Sequence, residues 1–311
     1  MSERGEAGHS PSDGRGRLAI VVVTFGAAEL LQTNLATIDT CALDAEVVIV
    51  DNFHSYPARS AVTSIAHQHG WTVLAMPANL GFGVAANEGV RQAEVLGCSS
   101  FLLLNPDARI STESIRELWR ACESDPLTMQ CPRIIRPDGT VWFRGGNLDI
   151  RSGNVRAGAV DDAVGWLTGA CLMVHRDLWQ RLGGFDPDFF MYWEDVDLSR
   201  RCLAVGGRLR MRQELTAVHE VGGTQGAVRA STKSRGYYYF NCRNRLLFAT
   251  KHLPAGALLR WVIATPVASV RVMMRGGGPR GLVTSPSTVW AGVRGSAAGL
   301  LVALAALVRR P

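Results

Sequence analysis

Leu18-Ala19-Ile20-Val21-Val22-Val23-Thr24-Phe25 is a continuous apolar run rich in β-branched residues. A half-buried strand alternates apolar with polar. This one does not alternate, the mark of a strand buried on both faces of a parallel sheet. The signature returns downstream: Glu46-Val47-Val48-Ile49-Val50-Asp51-Asn52, Trp71–Ala75 and Phe101-Leu102-Leu103-Leu104 read as further strands, with helical segments at Ala28–Ile38 and Ala58–His69 between them. Strands alternating with helices predict an α/β sheet with right-handed crossovers, whose ligands sit beyond the strands' carboxyl ends. Asp51, Asn52 and Asn79 lie at or just past such ends. Nucleotide contacts are expected there, although Asp and Asn at strand ends also serve turns and helix caps.

Two motifs near these ends need separate readings. Asn79-Leu80-Gly81-Phe82-Gly83-Val84-Ala85-Ala86-Asn87 formally satisfies the dinucleotide fingerprint G-x-G-x-x-G/A through Gly81, Gly83 and Ala86. That fingerprint belongs after a first strand, and Thr24-Phe25-Gly26-Ala27 carries no such loop. The fourth strand runs into Asn105-Pro106-Asp107. Pro106 fixes its own φ and pushes Asn105 into an extended conformation. Asp107 is left at the mouth of the cleft, where a hard divalent cation could bind through one carboxylate and substrate phosphates. An Asp in the turn before the helix Thr112–Cys122, with Ser111 or Thr112 as cap, is an equally good reading.

Gly183-Gly184-Phe185-Asp186-Pro187-Asp188-Phe189-Phe190-Met191-Tyr192-Trp193-Glu194-Asp195-Val196-Asp197-Leu198-Ser199-Arg200-Arg201 joins an aromatic run to three carboxylates within four residues. The spacing predicts a helix from about Glu194 to Ala204, stopped by Gly206-Gly207. On it Val196, Ser199 and Leu203 face inward, while Glu194, Asp197 and Arg201 share another face. Carboxylates in a first turn complement the helix dipole, so an acidic cap is the plain reading and a catalytic carboxylate the sharper one. Cys131–Val141 reads as a strand with a Pro-Asp-Gly turn, 144–163 as a glycine-rich polar loop, and Val164–Val174 as one strand whose small central residues allow close ligand approach. His219 follows a strand and opens a basic, glycine-containing loop over 222–236.

Charge is unevenly placed in the 311 residues. Glu220 is the last acidic residue; beyond it stand thirteen Lys and Arg and no acid, so the net +6 divides into −7 in front and +13 behind. A basic, apolar tail points to an anionic surface or a phosphate-bearing partner. The seven scattered cysteines include no C-x-x-C pair, against a disulfide framework or zinc site and for a reducing compartment. Residues 1–16 are polar, lack an apolar core and read as a disordered leader. Tyr237–Phe248 reads as a helix with a basic, aromatic face. After it come two apolar segments, Ala257–Met274, containing Arg260 and Arg271, and Val289–Val308, whose longest uncharged run, Gly295–Val308, is short of the roughly 20 residues that span a bilayer. Such helices suit the cytoplasmic interface, or packing on the domain.

The order and spacing of Val21–Thr24, Val50-Asp51-Asn52, Asn79–Gly83 with Asn87, Leu104–Asp107, Trp166-Leu167-Thr168-Gly169-Ala170 and Phe190–Asp197 resemble the family 2 glycosyltransferases of GT-A fold, over about residues 18–250. The rhamnosyltransferase-like branch, which builds bacterial cell-wall and surface polysaccharides on polyprenyl-diphosphate carriers, is the nearest resemblance. It implies a mainly parallel central sheet flanked by helices (residues 17–250), with a membrane-associating helical appendage over 251–311. It also implies an inverting enzyme, peripheral on the cytoplasmic face, that takes a nucleotide-diphosphate sugar such as dTDP-rhamnose and a lipid-linked or glycan acceptor, with no nucleic acid partner. By position, Asp51 contacts the donor base, with Thr24, Asn79, Gly81, Asn87 and Asn105 lining the nucleotide-sugar pocket and Arg243 near phosphate. Asp107 and His219 hold Mg²⁺ or Mn²⁺. Of the pair Glu194 and Asp195, Asp195 is the general base, and Trp193 stacks on a sugar or joins the core. The family's metal motif is Asp-x-Asp; Asn105 replaces its first carboxylate by a neutral oxygen. A sugar-phosphate nucleotidyltransferase would need a glycine-rich basic loop after its first strand, and Phe25-Gly26-Ala27-Ala28-Glu29 is not one. An inactive nucleotide-sugar-binding scaffold is opposed by the joint presence of Asp107, Asp195 and His219, and mildly favoured by Asn105.

Overall fold

The computed structural model describes residues 16–161, 163–220, 233–275 and 278–309. The expected leader falls outside them except for Gly16, as does most of the loop at 222–236. In chain order the strands are β1 (Arg17–Thr24), β2 (Ala45–Asp51), β3 (Thr72–Ala75), β4 (Cys98–Leu104), β5 (Ala108–Ile110), β6 (Thr128–Ile135), β7 (Val141–Phe143), β8 (Gly146–Asp149), β9 (Asn154–Ala157), β10 (Gly165–Trp166), β11 (Cys171–His175) and β12 (Arg208–His219). The helices are α1 (Ala28–Thr33), α2 (Thr40–Leu43), α3 (Tyr56–His69), α4 (Phe82–Val95), α5 (Thr112–Ser124), α6 (Arg176–Leu182), α7 (Glu194–Ala204), α8 (Arg235–His252), α9 (Ala255–Ile263), α10 (Thr265–Met273), α11 (Gly278–Thr284) and α12 (Pro286–Arg309).

The continuous apolar runs sit where their composition sends them. β1 lies between β2 and β4, and Leu18 through Val22 are at most 1% exposed. The main sheet runs β3-β2-β1-β4-β11-β6-β12-β5, with β7 beside β6. β3, β2, β1 and β4 are mutually parallel; β11 enters antiparallel between β4 and β6, and β12 returns parallel to β6. The carboxyl ends of β1, β2 and β4 therefore open on one edge. Local chemistry sets the helix ends: Ser55 and Ser111 accept hydrogen bonds from Ala58 N–H and Ser114 N–H, and α7 stops where Gly207 N–H donates to Cys202 O at 2.9 Å.

Two segments depart from the expectation. The stretch 144–163 forms the hairpin β8–β9, joined by β10 into a three-stranded antiparallel sheet. Its polar residues build the turn: Asp149 accepts from Arg151 N–H at 2.9 Å and from Ser152 Oγ at 2.8 Å. The strand expected over Val164–Val174 is two strands in two sheets, parted at Leu167–Ala170. That break admits α7, because Leu167 N–H donates to Ser199 Oγ on that helix.

The helical appendage is continuous with the domain, since α8 runs through residue 250. α9 and α10 bend by 56° at their junction, and α12 is long and apolar enough to cross a membrane by length and composition, which its uncharged run alone did not suggest. One face of α12 is a buried seam of Gly292, Gly295, Gly299 and Ala303. A Cβ at Gly295 would stand 2.1 Å from the Tyr239 carbonyl, so α12 meets α8 backbone to backbone. Its opposite face exposes Trp290, Val293, Leu301, Leu304 and Val308.

Candidate active site

At the end of β4, Asn105 N–H donates to Ala170 O at 2.9 Å, and Asn34 Nδ2 donates to Pro106 O at 2.8 Å. These bonds fix the turn that carries Asp107. β5 pairs with β12 so that His219 lies opposite Ala108, and His219 Nε2 meets Asp107 Oδ1 at 2.9 Å. Both side chains are buried, His219 Nδ1 has no hydrogen-bond partner, and the Trp142 ring lies edge-on against the imidazole. Among the described residues no three or more His, Cys, Asp or Glu side chains are grouped so that they could hold a metal ion by themselves. Two ligands nevertheless suit a cation that also takes substrate phosphates, and their separation is roughly that of neighbouring ligands each about 2.1 Å from an octahedral ion. The pair fits such an ion.

Across the break in β10–β11 stands the acidic pair. Asp195 Oδ1 accepts from Val196 N–H at 2.8 Å, and Oδ2 accepts from Gly169 N–H at 3.4 Å. Gly169 adjoins Ala170, whose carbonyl holds Asn105. Asp195 and the Asp107–His219 pair are thus linked through the Gly169-Ala170 backbone and border the same turn. Burial pushes the Asp195 carboxyl up to about 6, against the pull of the Gly169 and Val196 N–H groups. Burial first, and the Asp195 charge second, hold Glu194 well above the usual carboxylate range. Its Oε2 is buried without a partner. The two carboxyls share one buried site, so each opposes the other's ionisation.

The residues expected on the nucleotide side lie at the ends of β1 and β2. Thr24 and Asp51 are fully buried; Thr24 O accepts from Asn52 N–H at 2.9 Å, and Thr24 Oγ1 accepts from Ala27 N–H at 3.4 Å. Asp51 Oδ2 accepts from Arg59 Nε, whose guanidinium lies 4.7 Å from the Phe53 ring centroid, while Asp51 Oδ1 has no partner. Asn52 Nδ2 donates to Asn79 Oδ1 at 3.0 Å and to Gly81 O at 3.1 Å. Gly81, at φ +83°, lies so close to Phe190 that a Cβ would stand 2.1 Å from its carbonyl oxygen. Only glycine fits there, and the loop before α4 touches the acidic segment through it.

Some expected residues take other work. Asn87 uses its amide on the backbone of Phe185, donating to O and accepting from N–H, both at 2.8 Å. Its amide is thereby committed to holding the loop before the acidic pair. Trp193 packs on Phe248 and Trp261 and is 8% exposed, which realises its core reading. Arg243 Nη1 donates to Asp188 O at 3.1 Å and to Asn244 Oδ1 at 2.7 Å. Sequence reasoning passed over Asn34, Asn244 and His252, whose contacts span tens of residues and leave no local pattern.

With this geometry in hand, comparison with known proteins is informative. A family model described as Glycosyl transferase family group 2 matches residues 100–308. A low-salt glycan biosynthesis hexosyltransferase of Haloferax volcanii is 26% identical over 245 residues, covering 74% of each chain. An N-acetylglucosaminyl-diphospho-decaprenol L-rhamnosyltransferase of Mycobacterium tuberculosis is 29% identical over 215 residues, 59% of this chain and 69% of that one. Among solved structures, a mannosyltransferase from Pyrobaculum calidifontis in complex with GDP-Man and Mn²⁺ superposes with a TM-score of 0.55 at 17% identity, over 96% of this chain and 88% of its own. The fold is the expected GT-A fold.

Proposed function

This chain belongs to glycosyl transferase family group 2, and from that premise we propose that it transfers a sugar, best matched by rhamnose from dTDP-rhamnose, to a hydroxyl of a lipid-linked or glycan acceptor in cell-envelope glycan synthesis. The observation that carries the reading is that Asp195 and the Asp107–His219 pair border one turn, at the carboxyl ends of the strands that carry Thr24 and Asp51. The rhamnose assignment draws support from the rhamnosyltransferase among the relatives.

Asp51 Oδ1 offers an acceptor to a base N–H, and the loop pinned by Asn52 and Asn79 borders the nucleotide. Asp107 and His219 are the residues that would hold Mg²⁺ or Mn²⁺, which would supply positive charge to offset that growing on the diphosphate leaving group. Asp195 accepts the acceptor hydroxyl's proton from within about 2.6–3.2 Å as that oxygen attacks the anomeric carbon. The bond to the diphosphate breaks on the opposite face, and configuration inverts in one displacement. Glu194 beside it is held above the usual carboxylate range by burial and by the Asp195 charge, which favours ionisation of Asp195 over Glu194.

The reading is tested by nucleotide release from dTDP-rhamnose and a panel of other nucleotide sugars, with a polyprenyl-diphosphate-linked N-acetylglucosamine acceptor, with and without Mn²⁺. Release that requires both acceptor and ion supports it; no release with any donor overturns it. The pH dependence of kcat/KM is a second check. A base must be unprotonated, so activity is present above the Asp195 pKa of about 6 and falls roughly tenfold per unit below it. A limb in the ordinary carboxylate range would show that burial does not raise the base in the working enzyme.

The appendage fits the surface of an anionic membrane. Leu259, Ile263, Val267 and Val270 join the outward stripe of α12 in exposing apolar side chains, and Arg260, Arg271, Arg275, Arg280, Arg294 and Arg309 are exposed beside them. Because the glycine seam of α12 is taken by α8, the stripe is available to lie in the interface rather than to leave the domain and span. Full-length protein is expected to co-sediment with phosphatidylglycerol-containing vesicles and to be released by salt. Equal binding to neutral vesicles would overturn the electrostatic part.

A further inference from the structure

The backbone leading into the acidic pair is strained. Tyr192 and Trp193, neither of them glycine, stand in the left-handed region at φ 65° and 75°. Bulky side chains rarely adopt this conformation, and consecutive examples persist only where the surroundings impose it. The surroundings here are one face of α8. Asn244, fully buried, donates through Nδ2 to Met191 O at 2.9 Å and to Tyr192 O at 2.8 Å. One turn on, Phe248 packs against the Trp193 ring. Another turn on, His252 Nε2 meets Oδ1 of the fully buried Asp197 at 2.6 Å, while Asp197 Oδ2 accepts from Arg201 Nε at 2.8 Å. Positions 244, 248 and 252 share a helix face. They grip the chain on both sides of Asp195.

We infer that Asn244 and His252 are positioning residues: by holding the left-handed Tyr192-Trp193 turn and Asp197, they fix the direction in which Asp195 meets the acceptor hydroxyl. The inference rests on Asp195 acting as the base. Both side chains spend their polar atoms on the chain itself, on the Met191 and Tyr192 carbonyls and on Asp197. Their effect is geometric, because release of either tie lets the first turn of α7 rotate, and base catalysis depends steeply on the placement of the accepting oxygen. An ordinary buried polar contact would contribute only to stability. It would leave turnover per folded molecule unchanged.

Full-length Asn244→Ala, His252→Ala and His252→Gln separate the two. Amide hydrogen exchange of the 190–199 segment reads the grip itself, and exchange there is expected to rise about tenfold or more in both alanine variants. With dTDP-rhamnose as donor, kcat is expected to fall about 10–100-fold while the donor KM moves less than about threefold. His252→Gln presents an amide N–H at comparable reach and is expected to recover most of both losses. Unchanged exchange in the alanine variants overturns the inference, as does unchanged kcat despite faster exchange. Should Asn244→Ala not fold, His252→Ala decides alone, its side chain being at the helix end and 15% exposed. A wild-type enzyme that releases nucleotide from no donor sinks the glycosyl-transfer reading instead, and exchange then judges the grip by itself.

Discussion

Asp195→Asn is expected to lower kcat by about 10²–10⁴-fold, the usual effect of removing a positioned general base. That range corresponds to roughly 3–5 kcal/mol of transition-state stabilisation at about 1.36 kcal/mol per decade. The substitution is nearly isosteric, and its amide oxygen can still accept from Val196 N–H, so the α7 terminus keeps its form. Basicity is what it loses. Glu194 does not replace it: adjacent helix positions point about 100° apart, and Glu194 Oε2 is buried without a partner. Donor binding lies on the β1–β2 side and is expected to stay within a few-fold, as read by calorimetry with dTDP. Turnover undiminished at saturating donor and acceptor would withdraw the assignment.

The parts of this molecule visible in the sequence are those fixed by local rules. β1, β2 and β4 announce themselves because a strand buried on both faces must be apolar throughout. Asp107 is legible because Pro106 constrains the turn after β4, and α7 because its acidic start and glycine stop are local signals. The hairpin β8–β9 was hidden by its turn: Asp149, Ser152 and Asn154 read as loop because their hydrogen bonds replace the apolar signal a longer strand would give. The division of 164–174 between two sheets was hidden because strand periodicity does not say which sheet a strand joins. The ties made by Asn87, Asn244 and His252 were missed for one reason. Each lies on a helix, where a polar residue passes for a solvated face, and its partner is 52 to 98 residues away.

Asp107→Asn tests the other half of the site. Asn105 already replaces one carboxylate by a neutral oxygen, so Asp107 brings the carboxylate to its pair with His219. A hard divalent ion draws its affinity from charged oxygen, and the neutral amide leaves it with His219 and the donor's own phosphates. Substitutions one layer outside a metal's ligands already cost about 10–100-fold in affinity, so replacing this carboxylate is expected to raise the Mn²⁺ concentration for half-maximal activity by at least about 100-fold. At fixed, low Mn²⁺ the rate falls accordingly, and it recovers in part as the ion is raised, which separates loss of the ion from loss of fold. Asp195→Asn shows no such recovery. Mn²⁺ binding followed by paramagnetic resonance in the presence of dTDP gives the same midpoint without turnover. A variant whose Mn²⁺ midpoint matches the wild type by both measures would show that the buried pair of Asp107 and His219 joins β5 to β12 and does not grip the ion.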